Sequence, residues 1–95
     1  MTPYFASVRF TRLGAPEYYP ALISFPAKDF RDAGNSLFGF IAGFELGHSC
    51  RIAVEEISVN KPRGMAVSFT FGGTIEDEGL IKLLQDKRGN VCGTG

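Results

Sequence analysis

The single histidine, His48, stands two residues before Cys50, one of two cysteines in the chain. A Cys–His pair is nucleophilic when the two side chains lie within hydrogen-bond reach and a third group orients the base. Residues i and i+2 share a face only in a strand, and His48 falls in the expected loop, close to a helix C-terminus. A histidine there complements the negative end of the helix dipole, and Cys50 reads as a small apolar strand residue. No catalytic residue is therefore expected. Metal chemistry fares no better. His48, Cys50 and Cys92 supply at most three soft ligands without motif spacing. Glu55 and Glu56, adjacent on a strand, point to opposite faces. The cluster Glu76-Asp77-Glu78 is accounted for by a helix start, and a calcium loop would need oxygen ligands at alternate positions. Gly72-Gly73 precedes that helix and could present amides to an anion, but three carboxylates there repel phosphate. Neither a metal nor a cofactor is expected.

Aromatic supply is what remains. Nine Phe and three Tyr, without tryptophan, are more than a domain of this size buries completely. Tyr18 and Tyr19 follow a Gly/Pro turn, where an exposed pair makes a ready protein contact. The competing reading packs one tyrosine into the core and lays its neighbour over the sheet edge. Lys61 and Arg63 flank Pro62 at a second turn and complete the candidate protein-binding set. An alternative set for single-stranded nucleic acid is Phe5, Arg9 and Thr11, which share one strand face and could stack bases.

The elements that must carry these residues follow from periodicity. Tyr4–Arg12 alternates, with Tyr4, Ala6, Val8 and Phe10 on one face, which is the pattern of a half-buried strand. After the turn Leu13–Glu17, residues 18–25 resume as a strand, and Pro20 marks an edge or a bulge. In 26–46, Phe30, Ala33, Leu37, Ile41 and Phe44 form a helical stripe. Asp29 is placed to cap it and Gly47 to end it in the left-handed region. Gly34, Gly39 and Gly43 weaken that helix by roughly 1 kcal/mol each, and a break near Gly34-Asn35-Ser36 is compatible with them. The same stretch, Leu37–Leu46, also alternates like a strand. Cap placement and length favour the helix. The Gly39/Gly43 spacing is that of close helix packing.

Residues 50–59 read as a strand, and Met65–Phe71 as another with Val67, Phe69 and Phe71 facing the core. Joined by Asn60–Gly64, they read as a second hairpin. Thr74 is expected to cap a second helix over about 75–88, with acids first, Lys82, Lys87 and Arg88 last, and Gly89 as its stop. Residues 90–95 read as a short mobile tail on a single domain spanning 1–89. The expected fold is α+β, a four-stranded antiparallel sheet with two helices on one face in the order ββαββα. A ferredoxin-like sheet in permuted order is one closure of that pattern.

Charge narrows the function classes. Lys plus Arg is 10 and Asp plus Glu is 10 over 95 residues, and each half of the chain is neutral on its own. A chain so balanced lacks the field that drives non-specific DNA or anionic membrane binding. The longest apolar run, Leu37–Phe44, is well short of the ~20 residues of a spanning helix. No basic-then-apolar leader opens the chain, and two cysteines make no disulfide framework, so a cytoplasmic setting is expected. The leading expectation is a small non-enzymatic protein-binding module, with homodimerisation open. Compact single domains of this kind are common among accessory or inhibitory factors of phages and mobile elements, anti-CRISPR proteins included. That likeness is one of size and character, with no motif behind it. Nucleic-acid binding through the Arg9 face is the second reading, and an enzyme or thiol sensor on His48 and Cys50 the third.

Overall fold

The computed structural model describes residues 1–71 and 75–85. In chain order the elements are β1 (Thr2–Arg12), β2 (Tyr18–Ala27), α1 (Phe30–His48), β3 (Cys50–Ser58), β4 (Phe69–Thr70) and α2 (Glu78–Gln85). The fold is α+β, with a four-stranded sheet in the order β3-β1-β2-β4. β1 and β2 form the expected hairpin, in register from Thr2↔Ala27 to Thr11↔Tyr18. Gly14, at φ 86°, makes the turn possible in a conformation other residues seldom adopt. Pro20 sits where β2 runs past the reach of β4, which pairs only at Ile23 and Ser24. Its missing donor costs no ladder bond on that side.

The second hairpin does not form. β3 pairs antiparallel with β1 and β4 pairs parallel with β2, so the two strands occupy opposite edges and the sheet is mixed. A permuted ferredoxin-like closure would set β3 beside β4, and the observed order differs from it. The reason lies in the crossovers. β2 and β3 are both antiparallel to β1 and hence parallel to each other, with α1 connecting them across the intervening strand. Residues 59–68 then return to the far edge in the opposite direction. Right-handed crossovers running in opposite directions lie on opposite faces. Helix α1 packs on one face, and right-handedness would send the 59–68 connection over the other. Ala21, Leu22 and Ile23 are all buried, with Leu22 outside the main core cluster on that second face.

The main core takes the alternate residues Tyr4 to Phe10 of β1 and Ala21 to Ala27 of β2, with Cys50 and Ile52 of β3. Against them pack Ala33, Leu37, Ile41 and Phe44 of α1 and Leu80 and Leu84 of α2. Both helices therefore lie on the same face. A register shift in β3 opposite Ser7/Val8 leaves Glu55 as an extra residue. Cys50, Ile52 and Val54 point inward before this bulge, and Ile57 resumes inward after it. Phenylalanine rings fill the gap between α1 and the β4 edge. Phe40 lies 5.0 Å from Phe69 and 4.6 Å from Phe71, which stacks on Phe25 at 4.8 Å.

Helix α1 runs unbroken through Gly34, Gly39 and Gly43. The Asp29 carboxylate accepts from the Asp32 amide at 2.8 Å, as a cap should. Its stripe is buried as expected except for Phe30, which lies at the first turn and is 61% exposed. The left-handed residue after the helix is Ser49, at φ 51°, rather than Gly47. Helix α2 begins at Glu78, with the Asp77 side chain bonding the amides of Gly79 and Leu80. Thr74, Lys87, Arg88, Gly89 and the expected tail lie outside the described residues. Val67 is half-buried and outside the main core, because the chain before Phe69 runs as an irregular connection instead of a paired strand.

Candidate functional site

Tyr18 and Tyr19 do not form a joint surface. Strand alternation sends Tyr18 to the second face, where it is 55% exposed, and Tyr19 to the core face under α2. There the Tyr19 hydroxyl donates to Asp77 Oδ1. The Ser68 hydroxyl donates to Oδ2 at 3.2 Å, and the amides of Gly79 and Leu80 donate to Oδ1 at 2.9 and 3.2 Å. The hydrogen bond from Tyr19, with help from these other donors and against desolvation, holds the Asp77 carboxyl below its ordinary value. Tyr19 is pushed up to about 12 by burial and by the neighbouring carboxylate. Gly79 permits the approach, since a β-carbon there would lie 2.6 Å from the Tyr19 ring. A carboxylate engaged by four donors acts as a fastener, tying α2 to β2 and to Ser68 just before β4. A small cleft of about 210 Å³ beside it is lined by Pro20, Gly64, Met65, Ala66, Ser68 and Asp77.

The nucleic-acid set lies on the second face. The Arg9 guanidinium sits 5.3 Å above the Tyr18 ring centroid and its Nε lies 3.6 Å from Glu55 Oε2. Thr11 and Phe5 are half-buried on the same strand face. Arg9 thus has an acidic neighbour at hand, and its ring contact is already made within the chain. Lys61 and Arg63 are exposed; they belong to the 59–68 crossover and not to a hairpin tip, because β3 and β4 do not pair.

His48 and Cys50 are directed differently. The His48 ring stacks on Phe44 at 3.9 Å, and its Nδ1 lies 3.0 Å from the Phe44 carbonyl oxygen. Cys50 is buried, at 2% exposure, within the core. His48 therefore ends the helix, where a positive charge is welcome. Cys92 lies outside the described residues. Among the described residues no group of three or more His, Cys, Asp or Glu is placed to hold a metal ion. No helix among them is long and apolar enough to cross a membrane.

The surface that sequence reasoning passed over is the outer face of α1. Phe38 is 59% and Leu46 90% exposed, and Gly39, Ala42 and Gly43 between them are exposed as well. A groove of about 480 Å³ adjoins it, lined by Leu13, Ala42, Glu45, Leu46, Cys50 and Arg51. Glu45 Oε2 accepts from the Ile52 amide at 2.8 Å, which covers a donor at the β3 edge. The signal for this face was present in the Gly39/Gly43 spacing and in the second, strand-like alternation of 37–46. Both reported that the segment is apolar on more than one side. No known protein family, no curated protein and no solved structure matches this chain.

Proposed function

We propose that this is a cytoplasmic, non-enzymatic protein-binding module whose contact surface is the outer face of α1. The observation that supports it is the run of exposed apolar residues on a helix that already buries Ala33, Leu37, Ile41 and Phe44 against the sheet. A contiguous apolar surface flanked by charge (Arg31 and Glu45 here) is the form that interaction sites take. An accessory or inhibitory role requires no more than this: occupation of a protein surface. The enzyme reading draws no support from a histidine stacked on phenylalanine, and the nucleic-acid reading draws none from an arginine set beside Glu55.

A photo-crosslinking residue in place of Phe38, introduced in the cells that make the protein, tests the proposal. A discrete adduct with a polypeptide is expected from position 38, and none from exposed Thr70 on β4. Loss of the adduct on Leu46→Lys, with the fold intact by circular dichroism, completes the expected result. No adduct from position 38, or equal labelling from Thr70, would overturn it.

A further inference from the structure

Along the outer side of α1, Arg31, Asn35, Phe38, Ala42 and Glu45 follow one another at intervals of four, three, four and three residues. That is the spacing of a seam that packs against a second helix. The first four are exposed and Glu45 is half-buried. The seam is also self-complementary. Phe38 stands at its centre, Arg31 seven residues before it and Glu45 seven after, each about 10 Å away along the axis. Asn35 and Ala42 mirror one another to within a residue. Resting on the reading of α1 as a contact surface, we infer that its partner is a second copy of this chain, packed antiparallel about a two-fold axis through Phe38.

In that register Phe38 meets its own copy, and Arg31 meets Glu45 of the second copy twice over. A parallel pairing would set Arg31 on Arg31 and Glu45 on Glu45, and like charges repel. The Ile52 amide occupies only one oxygen of Glu45. Phe30, eight residues before Phe38, arrives level with Leu46, eight residues after it on the other chain. The groove lined by Leu13, Ala42, Glu45, Leu46, Cys50 and Arg51 opens at that end of α1, and Phe30 of the second copy is an exposed ring brought level with it. Such a seam is short against the about 800 Å² per partner of a stable complex. The dimer is accordingly a weak, reversible one.

Sedimentation equilibrium from roughly 1 μM to 1 mM reads the association. The expected result is a monomer–dimer equilibrium, weakened about tenfold or more by Arg31→Glu and restored by combining Arg31→Glu with Glu45→Arg. Because Glu45→Arg also removes the bond to Ile52, Phe38→Cys in a Cys92→Ser background supplies a second reading. The two copies of residue 38 face each other, so oxidation should give a covalent dimer, and a cysteine at Thr70 should not. A chain that stays monomeric to 1 mM overturns the inference, as does a dimer indifferent to Arg31→Glu that fails to cross-link at residue 38. A monomer whose photo-crosslinker at position 38 still marks a different polypeptide in cells overturns the self-association alone and leaves the protein-binding reading standing.

Discussion

Helix α1 has 19 residues and buries four of them, while α2 has eight and buries two. Their inner faces are thus similar in kind, but their outer faces and their fastenings are not. The exposed positions of α2 are Glu78, Gly79, Lys82 and Gln85, as solubility requires of a helix lying on a sheet. Those of α1 include Phe38, Ala42 and Leu46. The start of α2 is held by distant residues, Tyr19 and Ser68, acting through Asp77. The start of α1 is closed by its own neighbours, Asp29 and Asp32. A short helix with one apolar edge needs tertiary fasteners, whereas a long one is secured by its stripe and its local cap. The outer face of α1 thus carries Phe38 and Leu46 exposed, outside the core that holds the helix.

The largest effect that would break this contrast comes from α1 itself. Leu37→Ala, at a fully buried position, should cost roughly 2–5 kcal/mol, whereas Leu46→Ala should stay within about 0.5 kcal/mol. Denaturant unfolding of both variants decides it, and a costly Leu46→Ala would mean that the outer face supports the fold.

The two caps differ next. Asp77→Ala leaves the Tyr19 and Ser68 hydroxyls and two amides without their acceptor and should cost about 2 kcal/mol. Asp29→Ala removes a local cap and should cost about 1 kcal/mol. Equal losses in thermal melts would place the Tyr19–Asp77 bond among ordinary surface contacts.

A smaller, pH-dependent effect follows from the same pair. The Asp77 carboxyl is held below its ordinary value of 3.8, so its contribution is complete above that pH and fades as pH falls through the lowered value. Tyr19 is raised from 10.0 to about 12. Its neutral hydroxyl therefore stabilises fully below pH 10 and loses that contribution as pH rises through about 12. Tyr19→Phe should flatten both limbs of the stability profile, and an unchanged profile would count against the fastener. The smallest effect has the opposite sign. Nothing lies within 4 Å of a β-carbon at Gly43, so Gly43→Ala should stabilise α1 by about 0.5–1 kcal/mol, seen as a raised midpoint.

Much of this architecture was legible locally. Tyr4, Ala6, Val8 and Phe10 announced β1 and its inner face. The pairing of Asp29 with a stripe at Ala33, Leu37, Ile41 and Phe44 outweighed three interior glycines, because four buried side chains outweigh a propensity cost of about 1 kcal/mol each. The acids around Asp77 marked the start of α2. The exposed apolar face of α1 was half-legible: glycines spaced by four and an apolar run with two competing periods showed an apolar surplus beyond the inward stripe, without placing that surplus at the surface.

What the sequence determined by itself is the set of elements, their order and, for β1 and α1, the side that seeks burial. Those are consequences of side-chain period within one segment, and each segment carries its own. Strand partners, the bulge at Glu55 and the meeting of Tyr19 with Asp77 were decided only by the tertiary structure. Alternation in Cys50–Ser58 and around Phe69 states that a face is apolar, but a strand has two edges and the pattern names neither neighbour. The choice fell to the crossover. Once α1 had carried the chain over β1, the open edge of the β1–β2 hairpin lay beside β3, and β4 was left the other edge.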